Sequence, residues 1–123
     1  MTKLEALKNI SNLSALVVGD VMIDAYLFGK VERNSPEAPV PVVLLTGRDE
    51  RAGGAANVAR NIQALGAQVH LATVIGDDPA GSRLLELFKA RGMGVDACLV
   101  SKGRPTTIKT RIIRDNEHML RVD

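Results

Sequence analysis

Residues 51–79 read RAGGAANVARNIQALGAQVHLATVIGDDP. Gly53-Gly54 opens a helical segment, Ala55 to Leu65, in which Val58, Ile62 and Leu65 recur at i, i+4 and i+7 as an apolar stripe. Gly66 suits the residue just past its end, because glycine takes the left-handed conformation there without steric cost. Val69 to Ile75 follows as a short continuous apolar run, which predicts a strand buried on both faces of a parallel sheet. Gly76-Asp77 then hands over to Asp78-Pro79, an N-cap followed by proline at the first helical position. That second helix carries Leu84, Leu85, Leu87 and Phe88 and ends at Gly92. A helix, a buried strand and a helix in succession are the signature of an α/β fold.

The flanking sequence extends this pattern in both directions. Residues 3–11 form a short amphipathic helix with Leu4 and Leu7 on one side. Ala15 to Val18 predicts a further strand buried on both faces, ending at Gly19-Asp20. Beyond the second long helix, Val95 to Val100 is another short strand. Thr106 to Ile113 alternates, with Thr107, Lys109, Arg111 and Ile113 on one face. Met119 to Val122 pairs with it as a hairpin turning at Asp115-Asn116. Residues 25–46 are different in character: Tyr26, Phe28 and Val31 lie before a turn containing Pro36 and Pro39, and Val40 to Leu45 lies after it. Proline there, and again at position 41, excludes a central ladder, so these strands belong to an edge or a flap. The expected architecture is a parallel-sheet core with flanking helices, right-handed crossovers and a small β flap (about 25–46 and 105–122). The chain stops after a strand-like run that leaves an edge open, so it reads as the N-terminal part of a larger domain.

Composition narrows the function. Of 123 residues, 46% are hydrophobic and 24% charged, with a net charge of +2, which suits one globular domain and excludes disordered and collagen-like classes. No apolar run approaches the ~20 residues of a membrane span, and the amphipathic N-terminus lacks a signal-peptide core, so a cytoplasmic location is expected. Cys98 is the single cysteine, which excludes an intramolecular disulfide. With no Trp, one Tyr and two Phe, the chain lacks the stacking platforms of single-stranded nucleic-acid binders. Positive charge gathers near the end, where Lys102, Arg104, Lys109, Arg111, Arg114 and Arg121 face Asp115, Glu117 and Asp123. That balance suits a small anionic ligand, and equally a solvated surface.

No P-loop, no Gly-x-Gly-x-x-Gly turn and no His-Glu-x-x-His pair is present. His70, set in an apolar strand, reads as structural. Gly53-Gly54 lets the backbone approach a ligand closely at a helix start, and Asn57, one turn in, can donate and accept toward hydroxyl groups. A plain small-residue turn for helix–sheet packing explains the same residues.

Gly53-Gly54-Ala55-Ala56-Asn57-Val58-Ala59, with Gly66 and Val74-Ile75-Gly76-Asp77-Asp78, resembles the first signature of the ribokinase-like (PfkB) carbohydrate kinases. Gly19-Asp20-Val21-Met22-Ile23-Asp24 is similar to that family's opening strand and loop. Asn34 to Val42, Arg51 to Ala59, Pro105 to Arg111 and Leu120 to Asp123 resemble its heptose 7-phosphate kinase branch, with Asn34 standing where an apolar residue is expected. The resemblance implies ATP-dependent phosphorylation of the anomeric hydroxyl of D-glycero-β-D-manno-heptose 7-phosphate, feeding ADP-heptose for lipopolysaccharide core synthesis. It implies substrate-binding roles for Asp24, Gly53, Gly54 and Asn57. Lys109 and Arg111, side by side on one strand face, are candidates for the ligand phosphate. The family's Gly-rich anion hole and catalytic Asp fall beyond residue 123, so these residues alone are expected to be inactive, with ATP and Mg²⁺ held mainly elsewhere. Alternatives are a kinase for another sugar or nucleoside, or a non-catalytic sugar-binding or dimerisation module. A homodimer through the flap strands is expected, with neither nucleic acid nor membrane as partner.

Overall fold

The computed structural model describes residues 1–123 and divides them into two compact units, Met1–Met22 with Ala52–Thr107, and Ile23–Arg51 with Ile108–Asp123.

The first unit is a two-layer α/β core. Helix α1 (Lys3–Asn9) is fixed by a capping box: Glu5 N–H donates to Thr2 Oγ1 at 3.1 Å and Thr2 N–H donates to Glu5 Oε2 at 2.7 Å. Strands β1 (Ser14–Val18), β4 (Gln68–Gly76) and β5 (Gly94–Ser101) form a parallel sheet in the order β1-β4-β5. Helices α2 (Ala55–Ala64) and α3 (Pro79–Ala90) supply the crossovers; α2 packs on β1 and β4, α3 on β4 and β5. Val69, Leu71, Thr73 and Ile75 alternate along β4 as its buried positions, and Leu84 and Phe88 of α3 are buried with them. Each fully buried side chain of this size contributes about 1.5–3 kcal/mol.

Two expectations are corrected here. The strands are buried on one face, not two: on β1 only Val17 is buried, while Leu16 is 62% and Val18 74% exposed. Both helices sit on the side of Val17 and Leu71, and a continuous apolar run looks the same in sequence whether one or both faces are covered. The stripe on α2 is also not Val58, Ile62 and Leu65. Ala56 and Ala59 are the buried residues, and Val58 and Leu65 are exposed. Alanine has no bulk beyond Cβ, so this side of the helix can lie close to the sheet.

The second unit is a four-stranded sheet in the order β3-β2-β6-β7, where β2 is Val21–Asn34, β3 Pro41–Gly54, β6 Ile108–Arg114 and β7 Glu117–Val122. β2 and β3 each run on by a few residues into the first unit. The chain turns between them through Ser35–Val40, where Ser35 N–H donates to Val40 O at 2.8 Å. β3, which starts at Pro41, is an edge strand, where a proline is tolerated, but β2 is interior: it pairs in parallel with β6. β6 and β7 are antiparallel, joined at Asp115 and Asn116, both of positive φ, as the mirror-image hairpin turn demands. β3 also continues through Gly53-Gly54, so those glycines close a strand before α2 begins at Ala55.

Candidate functional site

Strand alternation sorts the second unit's sheet into two faces. In the β2–β6 register Asp24 lies opposite Lys109 and Tyr26 opposite Arg111. Arg111 in turn lies opposite Arg121 of β7. One face therefore gathers Asp24, Tyr26, Lys109, Arg111 and Arg121, and the other gathers Ile108, Leu120 and Val122.

Within the polar face, Arg111 Nη1 donates to Asp24 Oδ1 at 3.0 Å, and the two side chains are only 20% and 22% exposed. Partial burial screens this pair from solvent less than full exposure would, so salt should weaken it less than a surface bridge. Arg121 closes on Asp123 with Nε to Oδ1 and Nη2 to Oδ2, both 2.7 Å, and this fork holds the Asp123 carboxyl below its ordinary range. Of the sequence-predicted residues, Asp24, Lys109 and Arg111 thus come together on one sheet.

Gly53, Gly54 and Asn57 come together separately, at the start of α2 in the first unit. Gly53 is buried, and Gly54 is the N-cap with φ 65° and ψ −131°. Ala55 N–H donates to Asp20 O at 2.8 Å, which brings the loop after β1 against this turn. Asn57 is the third residue of the helix and is exposed. Arg104, from the loop before β6, reaches within 3.9 Å of Asp20.

Asp78 settles as a structural cap. Its Oδ1 accepts from Gly81 N–H at 2.7 Å and from Thr106 Oγ1 at 2.6 Å, and its Oδ2 accepts from Thr106 N–H at 2.8 Å. Thr106 Oγ1 also accepts from Gly76 N–H at 2.9 Å. These donors, led by the Thr106 hydroxyl, hold the Asp78 carboxyl below its ordinary value. Its contribution to stability is therefore full above the ordinary carboxylate range and is lost as pH falls through the lowered folded value. Acidification below about pH 4 should lower the urea midpoint of the protein, and Asp78→Asn should flatten that dependence. An unchanged acid slope in the variant would contradict this account.

Two further residues join the polar face, Tyr26 and Arg51. Tyr26 lies two positions after Asp24 on the same strand face, and the guanidinium carbons of Arg51 and Arg111 both lie 5.4 Å from its ring centroid. Period-two counting from Asp24 would have found Tyr26; Arg51 opens the Arg51 to Ala59 segment, but its place beside Tyr26 follows only from the position of β3.

Residues 12–122 match the family described as pfkB family carbohydrate kinase. The chain is 51% identical over 117 residues to the D-beta-D-heptose 7-phosphate kinase of Bordetella bronchiseptica, a match covering 94% of this chain and 37% of that protein. It is 54% identical over 108 residues to the bifunctional protein HldE of Methylobacillus flagellatus, covering 88% of this chain and 22% of that one. The chain therefore spans well under half the length of these curated relatives. Among solved structures it is similar to a ribokinase from Cryptococcus neoformans in complex with ADP, with TM-score 0.61, 31% identity, and 89% of this chain and 33% of that one covered. A carbohydrate kinase from Agrobacterium tumefaciens gives TM-score 0.70 at 25% identity, covering 89% of this chain and 34% of that one.

Proposed function

This chain belongs to the pfkB family of carbohydrate kinases, and on that premise we propose that it holds the sugar phosphate of an ATP-dependent kinase acting on the anomeric hydroxyl of D-glycero-β-D-manno-heptose 7-phosphate. The observation that carries the reading is the half-buried Asp24 carboxylate beside Lys109 and Arg111. A carboxylate accepts from sugar hydroxyls, and two cations next to it receive a phosphate. Asp24 takes the hydroxyls, and Lys109 and Arg111 take the phosphate. Gly53 and Gly54 let backbone approach the sugar, and Asn57 contributes an amide that donates and accepts. The identity to a protein named as a heptose 7-phosphate kinase supports the choice of sugar.

In the reaction the anomeric oxygen bonds to the γ-phosphorus, ADP leaves, and the hydroxyl proton passes to a base. None of the 123 residues is assigned as that base, so the chain alone positions substrate without turning it over. It brings together no group of three or more His, Cys, Asp or Glu that could hold a metal ion. No helix is long and apolar enough to cross a membrane. We place the protein in the cytoplasm, supplying sugar for ADP-heptose and lipopolysaccharide synthesis, as a homodimer through its flap strands. The exposure of Leu44, Leu45, Leu120 and Val122 supports that pairing.

Calorimetric titration with heptose 7-phosphate tests the assignment. Asp24→Ala should weaken binding by about 10–100-fold, the worth of hydrogen bonds to a charged group. Unchanged affinity in that variant, with a native melting curve, would remove Asp24 from the site.

A further inference from the structure

Arg51 and Arg111, from different strands, both lie 5.4 Å from the Tyr26 ring centroid. Two guanidinium groups lie against one ring, and each cation–π contact returns only about 0.5–1 kcal/mol at exposed positions. Each arginine already holds a carboxylate. Arg51 donates to Asp49 Oδ2 from Nε at 3.0 Å and from Nη2 at 2.9 Å, and Arg111 donates to Asp24 from Nη1. A guanidinium has five N–H donors, so both retain unused ones. Exposure differs sharply along the face, from 22% for Asp24 and 20% for Arg111 to 63% for Arg51. The sheltered end carries the Asp24–Arg111 pair, and the open end carries the Asp49–Arg51 pair.

We propose that Arg51 joins Arg111 in a two-guanidinium seat for the phosphate of the bound sugar phosphate, with Tyr26 as the positioning residue that holds both. This rests on the sugar-phosphate reading above and adds a specificity determinant outside the residues assigned there. A phosphate oxyanion offers three oxygens to the remaining donors of the two arginines. It also competes with Asp24 for Arg111, so the phosphate frees the carboxylate for a sugar hydroxyl. An unphosphorylated sugar must break the same ion pair with no anion to replace it. Selectivity for the phosphorylated sugar follows.

Tyr26 is the only tyrosine in a chain without tryptophan, so its emission reports on this face alone. The protein is titrated with heptose 7-phosphate, with the unphosphorylated heptose and with inorganic phosphate, following heat and Tyr26 emission. Heptose 7-phosphate should change the emission saturably, and inorganic phosphate should do so at higher concentration. Arg51→Met should weaken heptose 7-phosphate binding by about 10–100-fold and alter binding of the unphosphorylated heptose by less than about twofold. Tyr26→Leu should lose as much as Arg51→Met, while Tyr26→Phe, which keeps the ring, should stay within about threefold of the unaltered protein. Circular dichroism checks folding, and Arg51→Lys, which keeps the charge but not the fork, should give an intermediate loss and decides the matter should Arg51→Met not fold. Undiminished binding of heptose 7-phosphate by a folded Arg51 variant overturns the seat and leaves the sugar-phosphate reading standing. Failure of the unaltered protein to bind any sugar phosphate overturns both.

Discussion

Arg111→Ala should reduce affinity for heptose 7-phosphate by about 100-fold, the upper end of what a charge-assisted, forked contact contributes. The same substitution should leave the unphosphorylated heptose unaffected or bound slightly more tightly. Two effects separate the ligands. The phosphorylated sugar loses a donor that is 80% shielded from water, where screening is weak. The unphosphorylated sugar loses nothing and gains an Asp24 carboxylate no longer held at 3.0 Å by Arg111. Arg111→Lys should recover only part of the loss, because an ammonium is a point charge and cannot fork two oxygens. Paired titrations of the two ligands measure the ratio. Equal losses on both would mean that Arg111 only supports the sheet, and its proposed role would fall.

The largest effect on stability is expected at the turn before α2. Gly54→Ala should destabilise the protein by roughly 3 kcal/mol, from two causes that act together. At φ 65° and ψ −131° the backbone lies in a region that side chains with a Cβ rarely enter. A methyl group there would also stand 2.5 Å from Asp20 O and 2.8 Å from Met22 Cε. Asp20 O cannot retreat freely, since it accepts the Ala55 N–H that anchors the start of α2. Gly103→Ala is the control: its nearest neighbour would be Ser101 Oγ at 3.7 Å, so the change should stay within about 0.5 kcal/mol. Urea melts of the two variants compare them directly. A Gly54→Ala midpoint equal to that of Gly103→Ala would show that the turn adapts, and its rigidity could not then be part of the site.

Much of this molecule is legible locally. The Asp78-Pro79 helix start follows from capping chemistry, and the Asp115-Asn116 hairpin from two residues that tolerate positive φ. The α/β class follows from apolar runs alternating with helical stretches. Lys109 and Arg111 share a face because side chains on a strand alternate, and the β2–β6 register keeps them together. Gly53-Gly54-Ala55-Ala56-Asn57 marks the family by itself, and residues 12–122 carry the match.

The burial pattern, by contrast, depends on neighbours far away in sequence. Val58 and Leu65 fit a helical stripe as well as Ala56 and Ala59 do, and only the closeness of the sheet selects the small residues. An apolar strand does not record how many of its faces are covered, so Leu16 and Val18 read as core and are exposed. The polar face of the second sheet is the clearest case. Its chemistry comes from β2, β3 and β6, with Asp24 and Arg111 87 positions apart, and pairing at that separation leaves no period in the sequence. Sequence alone determined which elements form and which family they belong to, because those depend on contacts within a turn or a strand. Tertiary structure alone decided that Arg51 and Arg111 meet at Tyr26, because register between distant strands is set by the packing of the whole sheet.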